Sequence, residues 1–85
     1  MATIEIYTGM FCVFCYRAKA LLAQKNVLFE EIDVTADPLT RAKMRERAGG
    51  KTSVPQIFIN DVHVGGCDEL YNLEGEGKLD CLLAS

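Results

Sequence analysis

Hydrophobic and polar positions divide the chain into short segments of alternating period. Thr3–Tyr7 (TIEIY) alternates β-branched or aromatic residues with polar ones, which predicts a strand. Thr8–Phe11 follows as a loop, with Gly9 permitting a turn. From Val13 to Lys25 the period becomes helical: Phe14, Ala18, Leu21, Leu22 and Lys25 share a stripe, and Asn26 ends the helix. Val27–Val34 predicts a second strand. Asp37 followed by Pro38 is a helix start, cap then first turn, and Gly49–Gly50 stops that helix after about Ala48. Gln56–Asn60 and Val62–Val64 are strands joined by a two-residue turn at Asn60–Asp61. Gly65–Gly66 breaks the second of them, Cys67–Asp68 opens a helix through about Leu73, and Leu79–Leu83 makes a short final helix.

The order β-α-β-α-β-β-α places a right-handed crossover between two parallel strands and closes with an antiparallel hairpin. An α/β fold follows, a four-stranded mixed sheet flanked by helices. At 85 residues the chain has room for one domain, spanning 1–85. Its 49% hydrophobic and 25% charged residues are those of a globular protein. No apolar run approaches a membrane span, and the start MATIEIYT predicts no signal peptide. The net charge of −3 argues against a nucleic-acid partner. Five cations (Arg41, Lys43, Arg45, Arg47 and Lys51) nevertheless fall between residues 41 and 51, read either as a solvated helix face or as a rim for an anionic substrate.

The chemistry lies in the cysteines, Cys12, Cys15, Cys67 and Cys81. Cys12 and Cys15 are too close in sequence to staple distant parts of a fold, and a C-x-x-C pair in a βαβ context points to redox work in a reducing compartment. Cys12 stands where a loop hands over to a helix, where free N–H groups and the helix dipole favour a thiolate. The thiolate is the attacking species in disulfide exchange. Cys15, one turn on, is placed to close a disulfide with it. A zinc site built from Cys12, Cys15, His63 and Cys67 is the rival reading. Cys81, beside Leu79, Leu82 and Leu83, is expected to be a buried apolar residue.

With Glu5–Thr8 (EIYT), CVFC followed by Tyr16–Leu22 (YRAKALL), Ser53–Ile59 (SVPQIFI) and Val64–Leu70 (VGGCDEL), the chain resembles the glutaredoxins, specifically the short bacterial dithiol type, over nearly its whole length. The resemblance implies a thioredoxin fold and a cytoplasmic, monomeric enzyme. That enzyme reduces protein disulfides and glutathione mixed disulfides, with glutathione as cosubstrate and no obligatory metal. It implies Cys12 as nucleophile and Cys15 as resolving thiol. It also implies a glutathione site at Phe14, Ser53, Val54, Pro55, Gly66, Cys67 and Asp68. Pro55 matches the family's cis-proline, the Val54 backbone would pair with glutathione's cysteine, and Asp68 would accept from its γ-glutamyl amino group. Three positions depart from the family pattern. Val13 and Phe14 replace the Pro and Tyr of C-P-Y-C, and Gly9 stands where many relatives carry Lys, a role that Lys19, Arg17 or Lys51 would have to fill. Loss of that Pro also implies an alternative function, a dimer carrying a [2Fe–2S] cluster on Cys12 of two chains and two glutathiones.

Overall fold

The computed structural model describes residues 2–85. Its elements run β1 (Ile4–Thr8), α1 (Val13–Gln24), β2 (Glu30–Asp33), α2 (Pro38–Arg47), β3 (Gln56–Ile59), β4 (Val62–Gly65), α3 (Cys67–Gly75) and α4 (Leu79–Ala84). The strands form one mixed sheet in the order β2-β1-β3-β4. β1 and β2 are parallel, and the β1–β3 and β3–β4 pairs are antiparallel. This is the thioredoxin topology expected from the sequence.

Alternation along β1 sorts its side chains between two cores. Ile4 and Ile6 join Ile57 and Ile59 beneath Ala18, Leu21 and Leu22 of α1, Leu70 of α3 and Leu79 and Leu83 of α4. Tyr7 points the other way and packs with Val34, Met44, Ala48 and Phe58 under α2. With helices over both faces, every residue of the central strand β3 is buried, as strands covered on two sides must be. The β3–β4 turn has Asn60 and Asp61 at φ 52° and 65°, the left-handed pair of a tight hairpin.

Three expectations need correction. β2 is four residues long, not the eight of Val27–Val34. It is an edge strand that pairs with β1 at Glu30–Asp33 alone, and Val27 and Phe29 pack against the core outside the ladder. In α1, Cys15 is buried with Ala18, Leu21 and Leu22, while Phe14 leaves the stripe and borders a surface groove. Cys81 is exposed, not buried. α4 seats Leu79 and Leu83 on the core, and at 100° per residue position 81 falls on the opposite side.

The basic segment is partly structural. Arg47 grips both carboxylate oxygens of Glu5 at 3.0 and 3.2 Å, donates to Tyr7 Oη at 2.9 Å, and lies 4.0 Å over the Phe58 ring. Arg41 donates to the Thr52 carbonyl at 3.1 Å. No helix of the described residues is long and apolar enough to cross a membrane.

Candidate active site

Cys12 is the N-cap of α1. Its extended backbone turns the side chain back over the first helical turn, and Sγ accepts the Cys15 N–H at 3.1 Å. In the thiol form Sγ also donates to the Val54 carbonyl at 3.7 Å. One cap position thus brings the sulfur to the helix N–H groups and to the loop before β3. Cys12 is partly exposed whereas Cys15 is 2% exposed. Burial, followed by the hydrogen bond with Cys12, pushes the Cys15 thiol up to about 12. The two thiols, alike in sequence, are therefore unlike in access.

The loop opposite carries a cis peptide between Val54 and Pro55. An open groove of about 220 Å³ runs beside it, lined by Phe14, Ser53, Val54, Pro55, Gly66, Cys67, Asp68 and Glu69. All seven residues that the resemblance implied for this region therefore share one surface. Gly66 sits close to the loop: a Cβ there would lie 3.2 Å from the Pro55 carbonyl oxygen, so that backbone would have to give by a few tenths of an ångström. Asp68 is exposed in the first turn of α3. Cys67 is buried in the core at the same turn, and burial raises its thiol above the usual value.

Glu69 is an addition to the expected set. Its Oε1 accepts the Gly66 N–H at 2.6 Å, and its spacing from Gly66 is the helix-start signal that would have disclosed it. A second, wider hollow of about 470 Å³ lies at Cys12, lined by Gly9, Phe11, Cys12, Val13, Cys15, Tyr16 and Lys19. Phe11 is 97% exposed with φ 56°, a left-handed conformation uncommon for a bulky residue. Nothing in its composition marked it.

Of the three cations considered as substitutes for one at Gly9, only Lys19 lines either cavity. Arg17 lies 5.5 Å over the Tyr71 ring, and Lys51 is exposed beyond the grooves. A Cβ at Gly9 already approaches Val54 Cγ2 at 3.1 Å, so a larger residue there would require Val54 to shift. The zinc arrangement does not form. His63 Nε2 pairs with Gln56 Oε1 at 2.6 Å and its ring lies 5.0 Å from Phe58, on the α2 side of the sheet. Cys67 belongs to the core on the α1 side. Among the described residues no three His, Cys, Asp or Glu side chains converge as metal ligands.

A mixed sheet of this order, with a dithiol at the first helix start facing a cis-proline loop, defines a thiol–disulfide oxidoreductase of the thioredoxin fold. Comparison with known proteins narrows this. The glutaredoxin family model matches residues 4–64. A probable glutaredoxin of Synechocystis is 56% identical over 84 residues, covering 99% of this chain and 96% of the relative. The solution structure of glutaredoxin from Brucella melitensis superposes with a TM-score of 0.86 at 59% identity, covering 98% of this chain and 89% of that one. The crystal structure of the buckwheat glutaredoxin–glutathione complex gives 0.88 at 26% identity, covering 98% and 77%. The chain belongs to the glutaredoxin family, as a dithiol member and an oxidoreductase with a general glutathione-dependent role.

Proposed function

We propose that this enzyme reduces glutathione mixed disulfides and protein disulfides in the cytoplasm, as a monomer in which residues 1–85 work as one domain. Cys12 is the nucleophile, Cys15 the resolving thiol and glutathione the reductant. The observation that carries the reading is the inequality of the two thiols: Cys12 accessible at a helix cap, Cys15 buried one turn beneath it. The Cys12 thiolate attacks the glutathione sulfur of a mixed disulfide, the other thiol leaves, and Cys12 holds glutathione. A second glutathione then attacks that sulfur, freeing Cys12 and releasing glutathione disulfide. Alternatively Cys15 attacks Cys12 Sγ, the bond from Cys12 to glutathione breaks, and glutathione leaves as Cys12 and Cys15 close an internal disulfide.

The groove supplies the recognition. An extended glutathione laid along Val54 and Pro55 finds the Val54 backbone for its cysteine, in the manner of an added strand. Asp68 accepts from the γ-glutamyl ammonium, and N–H groups at the start of α3 face its carboxylate. Phe14, Ser53 and Gly66 form the walls, and Cys67 serves through its backbone. That the buckwheat relative was crystallised as a glutathione complex supports this choice of ligand.

Cys12→Ser abolishes turnover of a glutathionylated substrate, whereas Cys15→Ser retains much of it, because free glutathione still resolves the adduct. Equal loss in both variants would contradict the division of labour. The cluster-carrying alternative requires Cys12 of two chains, and anaerobic reconstitution with iron, sulfide and glutathione separates the readings. A colourless monomer is expected, and a coloured dimer would favour the cluster.

A further inference from the structure

Lys19 has no part in the glutathione groove, yet its placement is specific. It follows Cys15 by four residues on α1 and so shares its helical face. Helical side chains lean toward the N-terminus, which carries the Lys19 stem back toward Cys15, and both residues line the hollow beside Cys12. The ammonium is tethered from the sheet. Lys19 Nζ meets Glu31 Oε2 at 3.0 Å, and the same oxygen accepts from Thr8 Oγ1 at 2.8 Å. Thr8 is 1% exposed at the end of β1 and anchors the chain of contacts. Arg17, the neighbouring cation, is turned away onto Tyr71.

We propose that Lys19, held by Glu31 and Thr8, is a positioning residue that stabilises the Cys15 thiolate as it attacks the Cys12 mixed disulfide. The proposal rests on the reading of Cys15 as resolving thiol. In that step Cys15 gives its proton to solvent and its sulfur bonds to Cys12 Sγ. The bond from Cys12 to the substrate sulfur breaks, and its electron pair leaves with the substrate thiolate, which then takes up a proton. Cys15 is oxidised, the departing sulfur is reduced, and Cys12 is unchanged in oxidation state.

The charges around Cys15 explain why a cation is needed. Burial and Cys12 oppose its ionisation, while the Gly9 backbone and Lys19 favour it. Across from α1, β2 contributes Glu31, bound to Lys19, and Asp33, which also senses Lys19. Once Cys12 is bonded to a substrate sulfur its own charge is gone. Burial then remains as the chief obstacle, and Lys19 is the side-chain cation set against it.

The test uses full-length protein with Cys81→Ser, which removes the exposed thiol. Cys12 is charged either with glutathione disulfide or with methyl methanethiosulfonate, and closure by Cys15 is followed as thiol release across pH. Lys19→Met should slow closure about fivefold at neutral pH and move its pH profile upward, by the charge it removes. Lys19→Arg should restore most of the rate. Added salt should slow the parent toward the Lys19→Met rate, as screening requires. Glutathione-driven turnover in a Cys15→Ser background should change less than twofold with Lys19→Met, by the same charge logic. An unchanged closure profile in Lys19→Met, or a loss of equal size in the Cys15→Ser background, would overturn the proposal. The methyl adduct needs no glutathione contacts. Failure to take up glutathione would therefore count against the substrate reading alone, while the methyl adduct still decides the role of Lys19.

Discussion

At the scale of single residues, the groove separates side chains that contribute chemistry from those that contribute backbone. Asp68 is exposed and makes no hydrogen bond that the fold depends on, so its carboxylate is available to a ligand. Asp68→Ala should raise the KM for glutathione about five- to tenfold, the worth of one charge-assisted hydrogen bond. Its melting temperature should stay within a few degrees of the parent, and unchanged glutathione kinetics would reduce Asp68 to a first-turn helix charge. Cys67→Ser should leave turnover nearly intact and show its effect in thermal melts, because that side chain is buried in the core. These roles were only partly legible in the sequence. CVFC, SVP and GGCD marked the seven groove residues because each motif is local. Lys19 was one of three candidate cations, and only the meeting of α1 with β2 distinguishes it. Glu69 carried a legible signal in its capping distance from Gly66, whereas Phe11 went unmarked because exposure is a property of the folded neighbourhood.

At the scale of elements, α2 is fastened to the sheet by a short apolar core and one cation. Met44 and Ala48 supply the core. Arg47 adds a two-pronged grip on Glu5, a bond to Tyr7 and a seat over Phe58. A lysine keeps the charge but loses the fork and the flat stacking surface. Arg47→Lys should therefore destabilise the fold by about 1–2 kcal/mol, measurable by urea unfolding. A cost near zero would show that charge alone suffices. Local signals placed the elements well where they were self-contained. Asp37–Pro38 began α2, and Asn60–Asp61 turned the hairpin. They failed where an element's length depends on its partner. Val27–Val34 has the composition of a long strand, but only Glu30–Asp33 of it pairs with β1. Cys81 was misplaced for a related reason, since a six-residue helix gives no periodicity strong enough to say which side faces in.

For the whole molecule, the shifted groups frame a stability window. Lys19 and then Thr8 hold Glu31 below its usual 4.5, Thr35 holds Asp33 below 3.8, and burial holds His63 below 6.5. Each has a depressed folded value, so its contribution is present above the unfolded value and is lost as pH falls through the folded one. Cys15 is the opposite case, together with the buried Cys67, whose thiol burial also raises. The stabilising contribution of Cys15 is complete below 9.0 and is lost as pH rises toward about 12. Thermal melts across pH should therefore show a plateau near neutrality, declining first from about pH 6.5 on the acid side and from about pH 9 on the alkaline side. Cys15→Ala should flatten the alkaline decline. An unaltered alkaline limb in that variant would place the titration elsewhere.

The two hollows flanking Cys12 have a stereochemical consequence. A disulfide is a bent linkage whose substituents leave the two sulfurs at about a right angle to one another, so a disulfide substrate has two bodies that point different ways. Cys12 touches Val54 on the edge of the narrow groove and itself lines the wide one. On the proposed reading the tripeptide occupies the first, which leaves the second, lined by Phe11, Val13 and Tyr16, as the open surface at Cys12 for the body it is joined to. Attack on a sulfur must run in line with the bond it breaks. The way the two bodies are seated therefore selects which sulfur is struck, and so which half is carried by the enzyme and which departs.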